Sequence, residues 1–395
     1  MPYQLSKSSI VKGLQCEKSL YLHKRKPELI PPENEQQQAI FDQGTSVGEL
    51  AQQLFPGGVN CDFEDFAQIN QRIIDTRNHI EQGQTIIYEA AFKENNTLIF
   101  VDILAKDEEG WKMYEVKSST EVKSVHVQDA AIQAYVLSLA GIELVDAAII
   151  HINNQYVRQG DLEVPSLFTI QSIWEDIQFP MTEVPGQIIM LLEMLQQDKA
   201  PNIDIGPHCS APYPCALMSH CWQHIPDKSV FEIKRLNGRK KFELYHKGIL
   251  SMTDLPEDYP LTPKQQMQVN GLRHGTSVIN HDAIQDFLSS LKYPLYYLDF
   301  ETFNPAVPLY DGSRPYQPLP FQFSLHVQKE PGGTCDHFEY LAPTNGADPR
   351  VELIKSLIKN CGISGDVIAY NKVFESGKLK DLARDFPEYS EPLLN

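Results

Sequence analysis

Three strand-like runs crowded between residues 85 and 119 constrain this chain more than any other feature. TIIYEAAF (85–92), TLIFVDILA (97–105) and WKMYEVKSS (111–119) are rich in β-branched and aromatic residues with period-two alternation. ENN and KDEEG separate them, and both are turn chemistry, so neighbouring strands should run antiparallel. A helix is expected at 127–140, stopped by Gly141, followed by an apolar strand, LVDAAIIHI (144–152). Upstream, Ser8 and Ser9 can cap a helix carrying Ile10, Leu14, Leu20 and Leu22, which Pro27 ends. A second helix is expected around 36–54, and another around 184–197.

At ~150 residues per domain, 395 residues suggest two to three domains, and three blocks can be read. The first spans 1–227. The second, 228–290, is short and helical, with six Lys or Arg against two Glu between 231 and 247. It is either a helix-hairpin-helix-like clamp on phosphates around Gly248-Ile249 or a plain linker with a solvated basic face. The third, 291–395, has strand signals at 293–302, 320–329, 335–342 and 366–370, with helices at 349–359 and 372–385. The fold class is therefore α/β.

Hydrophobic residues at 42% and charged residues at 22% describe a globular chain. With no run of 18 uncharged apolar residues and no apolar leader in MPYQLSKSSIVKGLQC, the expectation is a soluble, cytoplasmic protein without membrane partners. A net charge of −18 excludes a generally basic coat on nucleic acid. It leaves room for an enzyme with a local positive path and acidic metal ligands.

The strand cluster carries such acids. Asp102 lies on the second run, and Glu115-Val116-Lys117 on the third. Glu115 and Lys117, at i and i+2, share one strand face. Two carboxylates and the Val116 carbonyl make a hard oxygen site suited to Mg²⁺ or Mn²⁺. An adjacent ammonium could orient or deprotonate a water for attack on a phosphodiester. Glu89, one strand earlier, is a candidate third carboxylate, and Lys123, His126, Gln128, Gln133 and Tyr135 follow on the next helix. The plainer reading is an E-x-K surface ion pair.

VDILAKDEEGWKMYEVKSS, followed by a helix bearing Gln133 and Tyr135, resembles the PD-(D/E)XK nuclease core of the RecB type. FDQGTSVGELAQQLF resembles that family's first motif, with Gly48 where many relatives carry a metal-binding His. The resemblance implies a restriction-endonuclease-like core and Mg/Mn-dependent cleavage of DNA. The catalytic set would be Glu89, Asp102, Glu115, Lys117, Gln133 and Tyr135, with Asp102, Glu115 and Val116 holding the metal.

Cys209, Cys215 and Cys221 form C-x5-C-x5-C, and Cys16 stands alone near the start. Four thiolates can hold an iron–sulfur cluster or a tetrahedral zinc, in which His208, His220 or His224 could also serve. One early and three late cysteines around a RecB-type core resemble the iron–sulfur staple of AddB and of CRISPR-associated RecB-like nucleases. That resemblance favours a structural [4Fe–4S] cluster. Taken together, KSSIVKGLQCEKSLYL, YEAAF, EVKSST, HVQDAAIQAYVL and YYLDFETFNPAVPLYDGSRPYQPLPFQFSLH resemble the bacterial domain-of-unknown-function 2779 proteins.

In the third block, Asp299-Phe300-Glu301-Thr302 resembles the first motif of DnaQ-like 3′→5′ exonucleases on an RNase H-like fold, and AYNKVFE, with Glu375, resembles the second. Two carboxylates on one strand face could share two metal ions. The third motif would lie beyond Asn395, so the expectation is a partial domain, truncated or a remnant, with little exonuclease activity. The rival to a working nuclease is a weakened nucleic-acid-binding or regulatory protein that keeps nuclease folds as scaffolds.

Overall fold

The computed structural model describes residues 3–62 and 68–394. Its strands build a seven-stranded mixed sheet and a separate four-stranded one, both flanked by helices. Two compact units result: Met1–His151 with Ile170–Ile279, and Ile152–Thr169 with Asn280–Asn395. The basic stretch after residue 228 thus packs with the first unit rather than standing apart.

The large sheet is built from β1 (Leu5–Ser6), β2 (Val59–Asn60), β3 (Ile86–Glu94), β4 (Thr97–Lys106), β5 (Trp111–Lys117), β6 (Leu144–Ile152) and β7 (Phe168–Ser172). Its order is β2-β3-β4-β5-β6-β7, with β1 alongside β4. As the turn chemistry requires, β3, β4 and β5 form an antiparallel meander; β6 then pairs parallel to β5. That parallel step needs a crossover, which α5 (Ser124–Leu139) supplies. Before it come α1 (Lys7–Gln15), α2 (Glu17–Arg25), α3 (Glu35–Gln52) and α4 (Ile69–Glu81), and after it α6 (Trp174–Leu195).

The α1 cap is Ser6, not Ser8 or Ser9: its hydroxyl accepts from the Ser9 N–H at 3.2 Å. Gly13 sits where α1 meets α6, and a Cβ there would lie 2.7 Å from a Leu191 methyl carbon, so only glycine allows this approach. Buried Ile99, Val101, Ile103 and Leu104 on β4 pack with Ile132, Val136 and Leu137 of α5 and Ile188 and Leu191 of α6 in the core. Because β4 is covered on both faces, Asp102 is a carboxylate inside an otherwise apolar strand. Helices α7 (Gly238–His246) and α8 (Pro263–His274) enclose a satellite core of Val230, Leu244, Leu255 and Val269.

In the second unit, α9 (His281–Ser290) precedes β8 (Leu295–Phe303), β9 (Leu319–Gln328), β10 (Cys335–Leu341), α10 (Arg350–Asn360), β11 (Asp366–Ile368) and α11 (Lys372–Asp385). The sheet order is β10-β9-β8-β11, with only β11 parallel to its neighbour. One face buries Tyr296, Leu298, Phe300, Phe323 and Leu325 against Leu353, Leu357 and Leu382. Asp299 and Glu301 alternate with these residues and are exposed.

Candidate active site on the first sheet

Register brings the expected acids together. Tyr88 pairs with Ile103 and Ala90 with Val101, leaving Glu89 out of the ladder at the level of Asp102. Glu89 has φ +53°, a left-handed conformation that costs a non-glycine residue ~1–3 kcal/mol and tends to persist where function demands it. Arg72 of α4, 4% exposed, clamps this kink by donating to the Glu89 carbonyl and lying 3.2 Å from its carboxylate. Burial raises the Glu89 pKa against that cation.

Glu89, Asp102, Glu115, Val116 and Lys117 line one cavity of about 1320 Å³, closed on its other side by α3. The FDQGTSVGEL segment supplies that wall through Phe41, Thr45, Gly48 and Glu49, and Asn60 and Asp62 add polar groups. A Cβ on Gly48 would meet nothing within 4 Å.

Glu115 is the hub, 3% exposed. One oxygen accepts from Lys7 at 2.5 Å and Lys117 at 2.7 Å, and the other from the Gln133 amide at 2.5 Å. Lys117 also reaches Asp129 at 2.8 Å. Burial alone would raise the Glu115 pKa, but Lys117 and Lys7 overcome it and hold the group well below the carboxylate range. Conversely, burial opposes the Lys117 ammonium while Glu115 and Asp129 drive its pKa up. Lys117 is therefore a fixed cation, not a ready base. Asp102 accepts the Val116 N–H at 2.6 Å, and burial followed by repulsion from Glu115 pushes it to about 8. Burial and Lys117 bring His126 down to about 4.

Gln133 therefore joins the site, whereas Tyr135 does not: its hydroxyl accepts from Asn95 at 3.3 Å. Two residues along a helix are ~200° apart, so the two cannot share a face. His126, Asp129 and Gln133, at i, i+3 and i+7, do share one, and all three are buried. Lys7, Arg72 and Asp129 escaped the sequence reading. Asp129 was detectable as a charge on an apolar helix at helical spacing from Gln133. Neither Lys7 nor Arg72 carries a local signal.

Cys16, Cys209, Cys215 and Cys221 converge on a second, much smaller cavity, also lined by Lys18 and His208. Cys16 caps the C-terminus of α1, and all four thiols are free. Burial raises the pKa of both Cys16 and Cys221, and each feels Cys209 and Cys215 as neighbours. His224 is engaged elsewhere, 2.9 Å from the Tyr245 hydroxyl. Among the described residues, no three His, Cys, Asp or Glu side chains form a ready single-ion site. In the second unit, Asp299 and Glu301 are exposed, while Glu375 is 4% exposed at the start of α11 with its Oε2 lacking a partner among the described residues.

The fold is thus a mixed α/β one whose first unit gathers acids and lysines around a cavity. Residues 296–395 match the family model described as domain of unknown function (DUF2779), a narrower span than the whole-chain resemblance expected. Uncharacterized protein UU173 of Ureaplasma parvum serovar 3 is 32% identical over 108 residues, 26% of this chain and 15% of that relative's length. The crystal structure of SSO0001 shares 10% identity, covering 55% of this chain and 89% of its own, at a TM-score of 0.25. No helix among the described residues is long and apolar enough to cross a membrane.

Proposed function

We propose that the first unit is a metal-dependent deoxyribonuclease with a RecB-type PD-(D/E)XK core, in which Glu89, Asp102, Glu115 and Lys117 carry the chemistry. One observation carries the reading: residues from three successive strands line one cavity, and one of them, Glu89, is held in a strained conformation beside the other acids. The antiparallel hairpin that carries Asp102 and Glu115, followed by the helix that carries Gln133, supports the reading.

The donor set fits a hard divalent cation. Burial, with repulsion from Glu115 added, lifts Asp102 to about 8, and a cation between the two carboxylates would relieve that cost. Asp102, Glu115 and the Val116 carbonyl would hold Mg²⁺ or Mn²⁺, which supplies Lewis acidity toward a phosphodiester oxygen. Lys117, kept protonated by Glu115 and Asp129, orients the attacking water and offsets charge on the phosphate. Gln133 fixes the second oxygen of Glu115. The water oxygen bonds to phosphorus, the bond to the leaving sugar oxygen breaks, and that oxygen takes a proton.

The four cysteines are read as ligands of a structural [4Fe–4S] cluster joining α1 to the 209–221 segment. Tetrahedral zinc at ~2.3 Å from each sulfur would draw the thiols to ~3.8 Å from one another. The four thiols around one cavity support a thiolate-held group, and the resemblance to iron–sulfur-stapled nucleases favours the cluster over zinc. The test is incubation of labelled linear, single-stranded and circular DNA with Mg²⁺ or Mn²⁺. Cleavage lost on Glu115→Ala is expected; intact DNA with wild-type protein in both metals would refute the reading.

A further inference from the structure

A separate cavity of about 990 Å³ opens beside the proposed active site, and Lys117 lines both. Its cationic wall is a half-buried side of α1, where Lys7, Val11 and Gln15 recur four apart, joined by Lys12 and by His23 of α2. The charges there do not balance. Lys7 is paired with Glu115, and Lys117 with Glu115 and Asp129. Lys12 instead meets an imidazole, its Nζ lying 3.0 Å from His23 Nδ1 and 3.3 Å from Nε2. No described carboxylate lies within ion-pair distance of it. A half-buried ammonium ordinarily has an anionic partner, because desolvation without one is costly. Burial holds the Lys12 pKa down, against Cys215 on the same cavity wall and with help from Lys24, and burial with Lys12 and Lys24 does the same to His23. An anion entering the cavity would accept hydrogen bonds from both and offset the cost of burying this ammonium.

We propose that this cavity is a phosphate subsite in which Lys12 and His23 bind a backbone phosphodiester of the nucleic-acid strand, adjacent to the one cut at Glu115 and Lys117. The identity of the anion rests on the nuclease reading above. A strand crossing from one cavity to the other passes over Lys117, which would serve both phosphates. The subsite gives a protein of net charge −18 a local positive path beside the proposed site of cleavage.

The test is binding of a fluorescein-labelled single-stranded oligodeoxynucleotide to the full chain in EDTA, read by anisotropy over a salt series. Lys12→Met keeps the aliphatic stem and removes the charge. It should weaken binding about five- to tenfold and lower the salt slope by about 0.7, as loss of one phosphate contact on a single strand requires. Lys12→Arg should restore affinity to within about twofold. Inorganic phosphate should shift the His23 ring resonances in wild type and not in Lys12→Met. Unchanged affinity and slope in Lys12→Met would overturn the subsite, as would a phosphate response at His23 with no effect of Lys12→Met on the oligonucleotide. Binding that depends on Lys12 in a protein that cuts nothing with Mn²⁺ would support the subsite and sink the nuclease reading instead.

Discussion

Lys117→Met separates the two roles of this lysine, as catalytic cation and as counter-ion of a buried network. The side chain is 21% exposed, while its partners Glu115 and Asp129 are 3% and 12% exposed. Removing the ammonium takes from Asp129 the cation 2.8 Å away and leaves Lys7 to balance the charge of Glu115. Breaking a buried pair costs about 3–5 kcal/mol, which partial exposure reduces to about 2 kcal/mol here. For a unit of this size that lowers Tm by about 4–8 °C. Asp129→Asn removes the stranded charge, so in the Lys117→Met background it should cost about 1–2 kcal/mol less than in wild type. The assay is thermal unfolding by circular dichroism on all four members of the cycle, with Mn²⁺-dependent cleavage in parallel. Cleavage should vanish in both proteins lacking Lys117. Additivity within about 0.5 kcal/mol would refute the network, and full cleavage by Lys117→Met would refute the catalytic role.

Asp102 is held above its unfolded value, so between about pH 4 and pH 8 the folded state binds the extra proton and stability falls as pH rises. Asp102→Asn should therefore gain on wild type by on the order of 2 kcal/mol from pH 5 to pH 8 in EDTA, measured by urea unfolding; a constant gap would refute the shift. Anaerobically purified protein should be brown, with absorbance that Cys215→Ser abolishes; colourless protein with about one zinc per chain would favour the tetrahedral site. Asp299→Ala should leave cleavage within about twofold of wild type, because exposed Asp299 and Glu301 lack the buried, crowded setting of Asp102 and Glu115. Residual 3′ trimming by Glu115→Ala/Lys117→Ala that Asp299→Ala removes would contradict this.

Eight strands were legible because each runs apolar or alternating between turn-forming residues, and β4 and β6 match their expected spans to within a residue; β1, β2 and β7 are too short to show a period. Helix α6 was only half legible. It begins at Trp174 rather than 184 and runs through Pro180 and Pro185, which local rules keep out of helix interiors. Helix α4 went unread because polar residues interrupt the isoleucines of INQRIIDTRNHIE, and Arg72 went with it. In the site, Glu115 and Lys117 could be seen because strand periodicity fixes which residues share a face. Lys7 could not, since its contact with Glu115 spans 108 residues of chain. Such a contact is a product of how α1 packs, beside Gly13 and Leu191, and no local pattern encodes it.

The kink at Glu89 sets backbone relief and activity against each other at a single codon. Glycine tolerates φ +53° without strain, so Glu89→Gly relieves about 1 kcal/mol or more of backbone cost, but it deletes a carboxylate from the cavity and the ion-pair partner of buried Arg72. Selection for heat resistance would weigh that relief against the Arg72 pair, which favours keeping an acid here. A library selected for DNA cleavage would retain glutamate, together with Arg72, whose hold on the Glu89 carbonyl keeps the strained turn closed.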